Sequence, residues 1–258
     1  MKSKFLFYII ISLGLVFGLS LLTNVDAAKQ NRGLLPDLQT VVPDHLQLVN
    51  EQQREILRFS NGIANTGDGD WRLRPDFQPT VTVAIQEILD ADGNIVDEVL
   101  TSTYVFHPEH NHWHLDKIAL FEVREGSPTG PVVGANSIKV TFCLIDWYKL
   151  VGNSPSSERT YFDCETSYQG ISPGWVDQYH QATVGQQLDI TGVDEGTYYL
   201  VSTANPDGIY IEEDTQNNTA WTEFELTRES NGNPKIKVTG NSPCVLGSGM
   251  CGENSPNR

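Results

Sequence analysis

An all-β chain, folded as an antiparallel β-sandwich with long loops and few or no helices, is the fold class this sequence predicts, and three observations carry it. Apolar residues recur at every second position far more often than at every third or fourth. Gly, Asn, Asp or Pro fill most of the gaps between the alternating runs, where the chain must turn. No stretch offers several turns of one-sided apolar patterning, which a surface helix would need. Strands with one apolar face bury it by packing sheet on sheet.

Taken in order, Leu57 and Phe59 mark an early strand. Val81, Val83 and Ile85 then alternate with Thr82 and Ala84, Asp92-Gly93 supplies a turn, and Ile95 to Phe106 returns as the second arm of a hairpin. Ile118 with Leu120, then Val140, Phe142 and Leu144, Tyr198 with Leu200, and Phe224 with Leu226 repeat the alternation. The last thirty residues, from Glu229, are rich in Gly, Ser, Asn and Pro and read as a loosely ordered tail, 229–258. There is no internal repeat.

Before the first strand, Lys2 and Lys4 precede an apolar stretch from Phe5 to Leu22, and Val25-Asp26-Ala27 offers small residues to a signal peptidase. Residues 1–27 therefore read as a signal peptide, with the mature chain starting at Ala28. The apolar stretch is long for a signal core, so a retained N-terminal anchor is the competing reading. Both make the remainder secreted or extracytoplasmic. Residues 28–228 read as one well-cored domain.

The formal net charge of −16 argues against nucleic acid and anionic membrane surfaces as partners. It suits cationic substrates, and equally it suits an exported protein kept soluble. Four cysteines make an even number for an oxidising compartment. The simplest pairing joins neighbours, Cys143 with Cys164 and Cys244 with Cys251, although three connectivities stay open.

Four of the six histidines fall in "FHPEHNHWHLDKIALFEV": His107, His110, His112 and His114. On an extended segment the last three share one face, while Asn111 and Trp113 point the other way. Neighbours in H-x-H have Cβ atoms about 7 Å apart and reach one metal easily, whereas the three together span roughly 13 Å, so the segment must bend or the rings converge. Three neutral imidazoles with an open position suit copper or zinc. His107 lies an odd number of positions away and is the poorer candidate.

"HPEHNHWHLDKIALFEV" is similar to the copper-binding segment of the lysyl oxidases. "RFSNGIANTGDGDW", "KVTFCLID", "QGISPGWVDQY" and "LDITGVDEGTYYLVSTANP" with "EEDTQNN" resemble further blocks of that family in the same order, over roughly residues 35–227. The resemblance implies a copper amine oxidase acting on primary amines or lysine-containing proteins, with a lysine tyrosylquinone made from Lys139 in "KVTFC" and Tyr179 in "GWVDQY". Asp116 and Asp177 are candidates for its general base by their nearness in sequence to the ligands and to Tyr179. Two family cysteines are replaced, by Glu109 before the histidines and by Trp175 beside the tyrosine. His180, next to Tyr179, is a candidate extra ligand or proton relay, and equally an ordinary surface histidine.

"IEEDTQNN" also gathers Glu212, Asp214, Asn217 and Asn218 in one loop, an oxygen-rich set of the kind that holds calcium. The resemblance adds Asp37 and the carbonyl of Leu38. Without a cation the same residues would make a polar turn. The competing class is a non-catalytic exported immunoglobulin-like adhesion or metal-sequestering module, which "NTGDGDW" and "EEDTQNNTAWTEFEL" also resemble. It has no use for Lys139 and Tyr179. A zinc hydrolase lacks any H-E-x-x-H pattern or accompanying nucleophile.

Overall fold

The computed structural model describes residues 33–108, 111–152, 158–164 and 168–252, with the side chains of 135–140 left aside. The expected leader or anchor over 1–27, Glu109, His110 and the side chain of Lys139 therefore lie outside the described residues. Fifteen strands follow one another: β1 (Leu38–Thr40), β2 (Asp44–Glu51), β3 (Arg54–Asn65), β4 (Trp71–Phe77), β5 (Thr82–Leu89), β6 (Ile95–His107), β7 (His112–Glu125), β8 (Val132–Phe142), β9 (Tyr148–Lys149), β10 (Gln169–Ile171), β11 (Trp175–Tyr179), β12 (Gln187–Asp189), β13 (Gly196–Ala204), β14 (Thr219–Arg228) and β15 (Pro234–Asn241). Among the described residues there is no helix, and the strand pairings are antiparallel, as the alternation predicts.

Strands β10-β4-β5-β6-β7-β8 lie side by side, and the path continues through β12 to β3, β11 and β9. Strand β7 is the hub. Its first residues pair with β6 (His107↔His112, Tyr104↔Leu115), its later ones with β13 (Ala119↔Ala204 to Glu125↔Tyr198), and β8 runs along its other edge. β6 and β13 thus share successive halves of one edge. The core lies between β3, which supplies Leu57, Phe59 and Ile63, and the β7 side, which supplies Leu115, Ile118 and Phe121. Phe59 meets Phe121 edge-on at 4.9 Å between ring centres. Each such buried side chain contributes on the order of 1.5–3 kcal/mol.

The hairpin turn between β5 and β6 forms where Asp92-Gly93 places it. Gly93 takes the left-handed φ of 81°, and the Asp90 carboxylate accepts the main-chain N–H groups of Asp92 and Asn94. Both neighbouring cysteine pairs form, Cys143–Cys164 and Cys244–Cys251. The tail differs from expectation over 234–252. Strand β15 covers the free edge of β14, and the loop closed by Cys244–Cys251 is tied down where Val42 N–H donates to Met250 O and Val151 N–H to Ser248 O. Ile236 and Val238 alternate with Lys235 and Lys237, an edge-strand pattern that the Gly- and Asn-rich surroundings mask.

Candidate functional site

The histidine segment is not one extended strand. β6 ends at His107, Asn111 takes a φ of 56° and donates its N–H to His107 O, and β7 begins at His112. A hairpin therefore reverses the chain between the first and third of the four histidines. Cross-strand partners in an antiparallel pair point the same way, so His107, opposite His112, is returned to the face of His112 and His114. Counting positions along a single strand, which made His107 the poorer candidate, takes no account of this reversal. Its ring centre lies 4.3 Å from that of His114.

His112 is half-buried and His114 is buried, and their Nε2 atoms stand 2.9 Å apart. Two imidazole nitrogens take that separation in a single N–H···N bond or as neighbouring ligands of one ion, since nitrogens about 2.0 Å from a metal at 90–110° are about 2.8–3.3 Å apart. The other ring nitrogen of His114, Nδ1, faces Thr141 Oγ1 at 3.1 Å, and Thr141 Oγ1 also lies 3.5 Å from His107 Nε2. In the tautomer whose Nδ1–H donates to Thr141 Oγ1, His114 Nε2 is left bare for a ligand. Among the described residues no three His, Cys, Asp or Glu side chains close around a single point. The described pair needs a further ligand, and His110, outside the described residues, stands between His107 and His112 in sequence. This donor chemistry fits copper or zinc.

Thr141 sits on β8, two residues from Cys143 and two from the main chain of Lys139. Cys143 N–H donates to Tyr179 Oη at 2.8 Å, and the Tyr179 ring stands edge-on to Phe142 at 4.4 Å. The end of β8 and the residue after it thus touch both the histidines and the tyrosine. Asp177 lies two positions before Tyr179 on β11, so it shares that face of the strand, and it is fully buried. Asp116 is placed differently. A bulge interrupts β7 there, Lys117 takes a φ of 62°, and Asp116 uses Oδ1 to accept Lys117 N–H while its carbonyl accepts from Tyr210 Oη. No described bond joins Asp116 to His112, His114 or Tyr179. His180 packs on His45 with ring centres 5.7 Å apart and accepts Ala182 N–H at Nδ1, so it joins neither the histidine pair nor Tyr179.

The oxygen-rich loop closes on β1. Asn217 Nδ2 donates to both oxygens of Asp37, Leu38 N–H donates to Glu212 Oε2, and Asn218 Nδ2 and Asn205 Nδ2 donate to Glu212 Oε1. Burial pushes the Glu212 carboxyl up, against the pull of the two amides and the Leu38 N–H. The buried amide oxygens of Asn217 and Asn218 have no hydrogen-bond donor. Unpaired buried acceptors beside two carboxylates are what a hard cation would satisfy. Asp214 is exposed and accepts Gln216 N–H in its own turn, apart from this cluster.

Residues 85–233 match the family model described as lysyl oxidase. Over 179 residues the chain is 31% identical to protein-lysine 6-oxidase of Sus scrofa, covering 67% of this chain and 58% of that protein. Lysyl oxidase homolog 1 of Homo sapiens is 34% identical over 117 residues, 45% of this chain and 19% of that protein. Protein-lysine 6-oxidase of Bos taurus is 31% identical over 179 residues, 67% of this chain and 34% of that protein. In each case the chain spans less than two thirds of the relative's length.

Proposed function

Because the chain belongs to the lysyl oxidase family, we propose that it is a copper-dependent amine oxidase, converting primary amines or lysyl side chains to aldehydes with release of hydrogen peroxide and ammonia. Residues 28–228 are the catalytic domain in this reading, secreted or held outside the cytoplasm, where disulfides such as Cys143–Cys164 persist. The observation that supports it best is that the end of β8 and the residue after it reach both chemistries: Thr141 contacts His114, and the Cys143 main chain holds the Tyr179 hydroxyl.

His110, His112 and His114 would hold copper, and Lys139 and Tyr179 would be joined as lysine tyrosylquinone. Bound copper with oxygen supplies the oxidation of the tyrosine ring, and the joined quinone supplies the electron sink for amine oxidation. The chain's own residues do the rest. Thr141 fixes the ring of His114 so that Nε2 is presented. Asp177, buried on the face of Tyr179, is the better placed of the two aspartates to take the substrate's α-proton at its carboxylate, because Asp116 is used in closing the bulge. The net charge of −16 raises the local concentration of cationic amines.

Copper-loaded mature protein should release peroxide with at least one of a panel of alkyl amines and lysyl peptides. No peroxide with any of them would sink the oxidase reading and leave a metal-sequestering sandwich as the better account.

A calcium ion held by Asp37, the Leu38 carbonyl, Glu212, Asp214, Asn217 and Asn218 belongs to the same proposal, with support from the unpaired Asn217 and Asn218 oxygens. Binding would turn the amide oxygens toward the ion and draw Asp214 in. Calcium at about a hundred times its Kd should raise Tm by about 5–10 °C. Scanning calorimetry checks this, and Glu212→Gln should remove the shift. An equal Tm with calcium and with chelator would reduce the loop to a polar turn.

A further inference from the structure

The edge of β7 on the β8 side changes partner just where the histidines begin. β8 ends at Phe142, opposite Leu115, so among the described residues no strand lies on that side from Trp113 back to His112. A strand edge left open would expose its main-chain groups. Here Cys164 and Gln169 fill it. Trp113 N–H donates to Cys164 O at 3.1 Å, and Gln169 Nε2 donates to Trp113 O at 2.8 Å. Both main-chain groups of the residue between His112 and His114 are therefore held from one side.

The same two residues are fastened to the tyrosine's support. Gln169 is fully buried and uses its other end, Oε1, to accept Leu144 N–H at 3.2 Å. Cys164 is bonded to Cys143, whose N–H holds Tyr179 Oη. Two parallel connections thus run from Trp113 to residues 143–144, one through the glutamine side chain and one through the disulfide. A side chain amide can bridge two main chains in this way because it carries a donor and an acceptor about two ångströms apart. Leucine or methionine of similar size can do neither.

We infer that Gln169, with the Cys143–Cys164 disulfide, is a positioning brace that fixes His112 and His114 relative to Tyr179. It acts through the main chain of Trp113 and Leu144. The inference deepens the copper oxidase reading and rests on it for its functional consequence, while the brace itself stands on hydrogen bonds that do not depend on that reading. Outer-shell partners that orient ligands change metal affinity by about 10–100-fold, and Gln169 acts at one remove from His112 and His114, through the main chain of Trp113 between them.

The test compares wild-type protein with Gln169→Leu, both with the disulfides intact. In metal-free protein, hydrogen exchange at the Trp113 and His114 amides should be faster in the variant. Copper(II) affinity, read by competition with a chelator, should fall about 10–100-fold, the copper EPR spectrum should change, and the yield of joined Lys139–Tyr179 peptide should drop. Gln169→Glu keeps the acceptor for Leu144 and should lie between the two; it carries the comparison if Gln169→Leu does not fold. A folded variant with lower Tm but wild-type copper affinity and EPR spectrum would overturn the positioning role, leaving Gln169 as packing alone. A wild-type protein that binds no copper would sink the oxidase reading instead, and the brace is then judged by exchange, where unchanged Trp113 and His114 rates overturn it.

Discussion

Tyr179→Phe should leave copper bound at wild-type stoichiometry while the joined Lys139–Tyr179 peptide disappears and amine oxidation falls at least about a thousandfold, since in the proposed mechanism the quinone made from this tyrosine supplies the electron sink. Phenylalanine keeps the edge-on contact with Phe142 and loses the hydroxyl, which accepts Cys143 N–H and donates to Cys143 O at 3.4 Å. Leaving that N–H unpaired costs about 1–3 kcal/mol, a loss a folded domain tolerates. Proteolysis and mass spectrometry read the peptide pair, metal analysis reads the copper, and peroxide release reads the activity. Amine oxidation at the wild-type rate in this variant would remove Tyr179 from the cofactor.

His114→Ala should lose copper, with an affinity drop larger than the about 10–100-fold of an outer-shell change, and with it both the joined peptide and the peroxide. His114 is the buried member of the pair, its Nε2 2.9 Å from His112 Nε2 and its Nδ1 fixed by Thr141. A chelator competition on metal-free protein measures the change. Unaltered affinity would mean that the Nε2 pair is only a hydrogen bond and that the ion, if any, sits elsewhere.

Much of the sandwich was legible because a strand's face alternation is local: Leu57 and Phe59, or Phe224 and Leu226, announce themselves within three residues. The Asp92-Gly93 turn was legible for the same reason. Register is not local. His107 reaches the histidine face only because Asn111 reverses the chain and pairs position 107 with 112, and nothing in the spacing of the four histidines states where the turn falls. Thr141 acts on His114 across 27 positions and Gln169 on Trp113 across 56, so only the folded chain identifies them. Thr141 did carry a weak mark, the parity it shares with Lys139 and Cys143. The oxygen-rich loop stood out because Glu212, Asp214, Asn217 and Asn218 are close in sequence, but Asp37 joins it from across the chain. The tail misled because composition spoke louder than the short alternation of β15.

The divided edge of β7 also sets an order of assembly. β6 precedes β7 directly, so Phe106 can find Trp113 as soon as the turn between them has formed, whereas Leu120 must wait for Thr203. Contacts near in sequence form fast, and distant ones carry the loop-closure cost. A nascent chain therefore closes the histidine end of β7 early and leaves residues 119–125, with Phe121 and Val123 among them, as an open strand edge until β13 arrives. That edge is the place where two incomplete chains would pair with each other. The same arrival of β13 delivers the loop from Asn205 to Asn218 directly behind it, so the oxygen-rich cluster is completed at the step that ends the exposure.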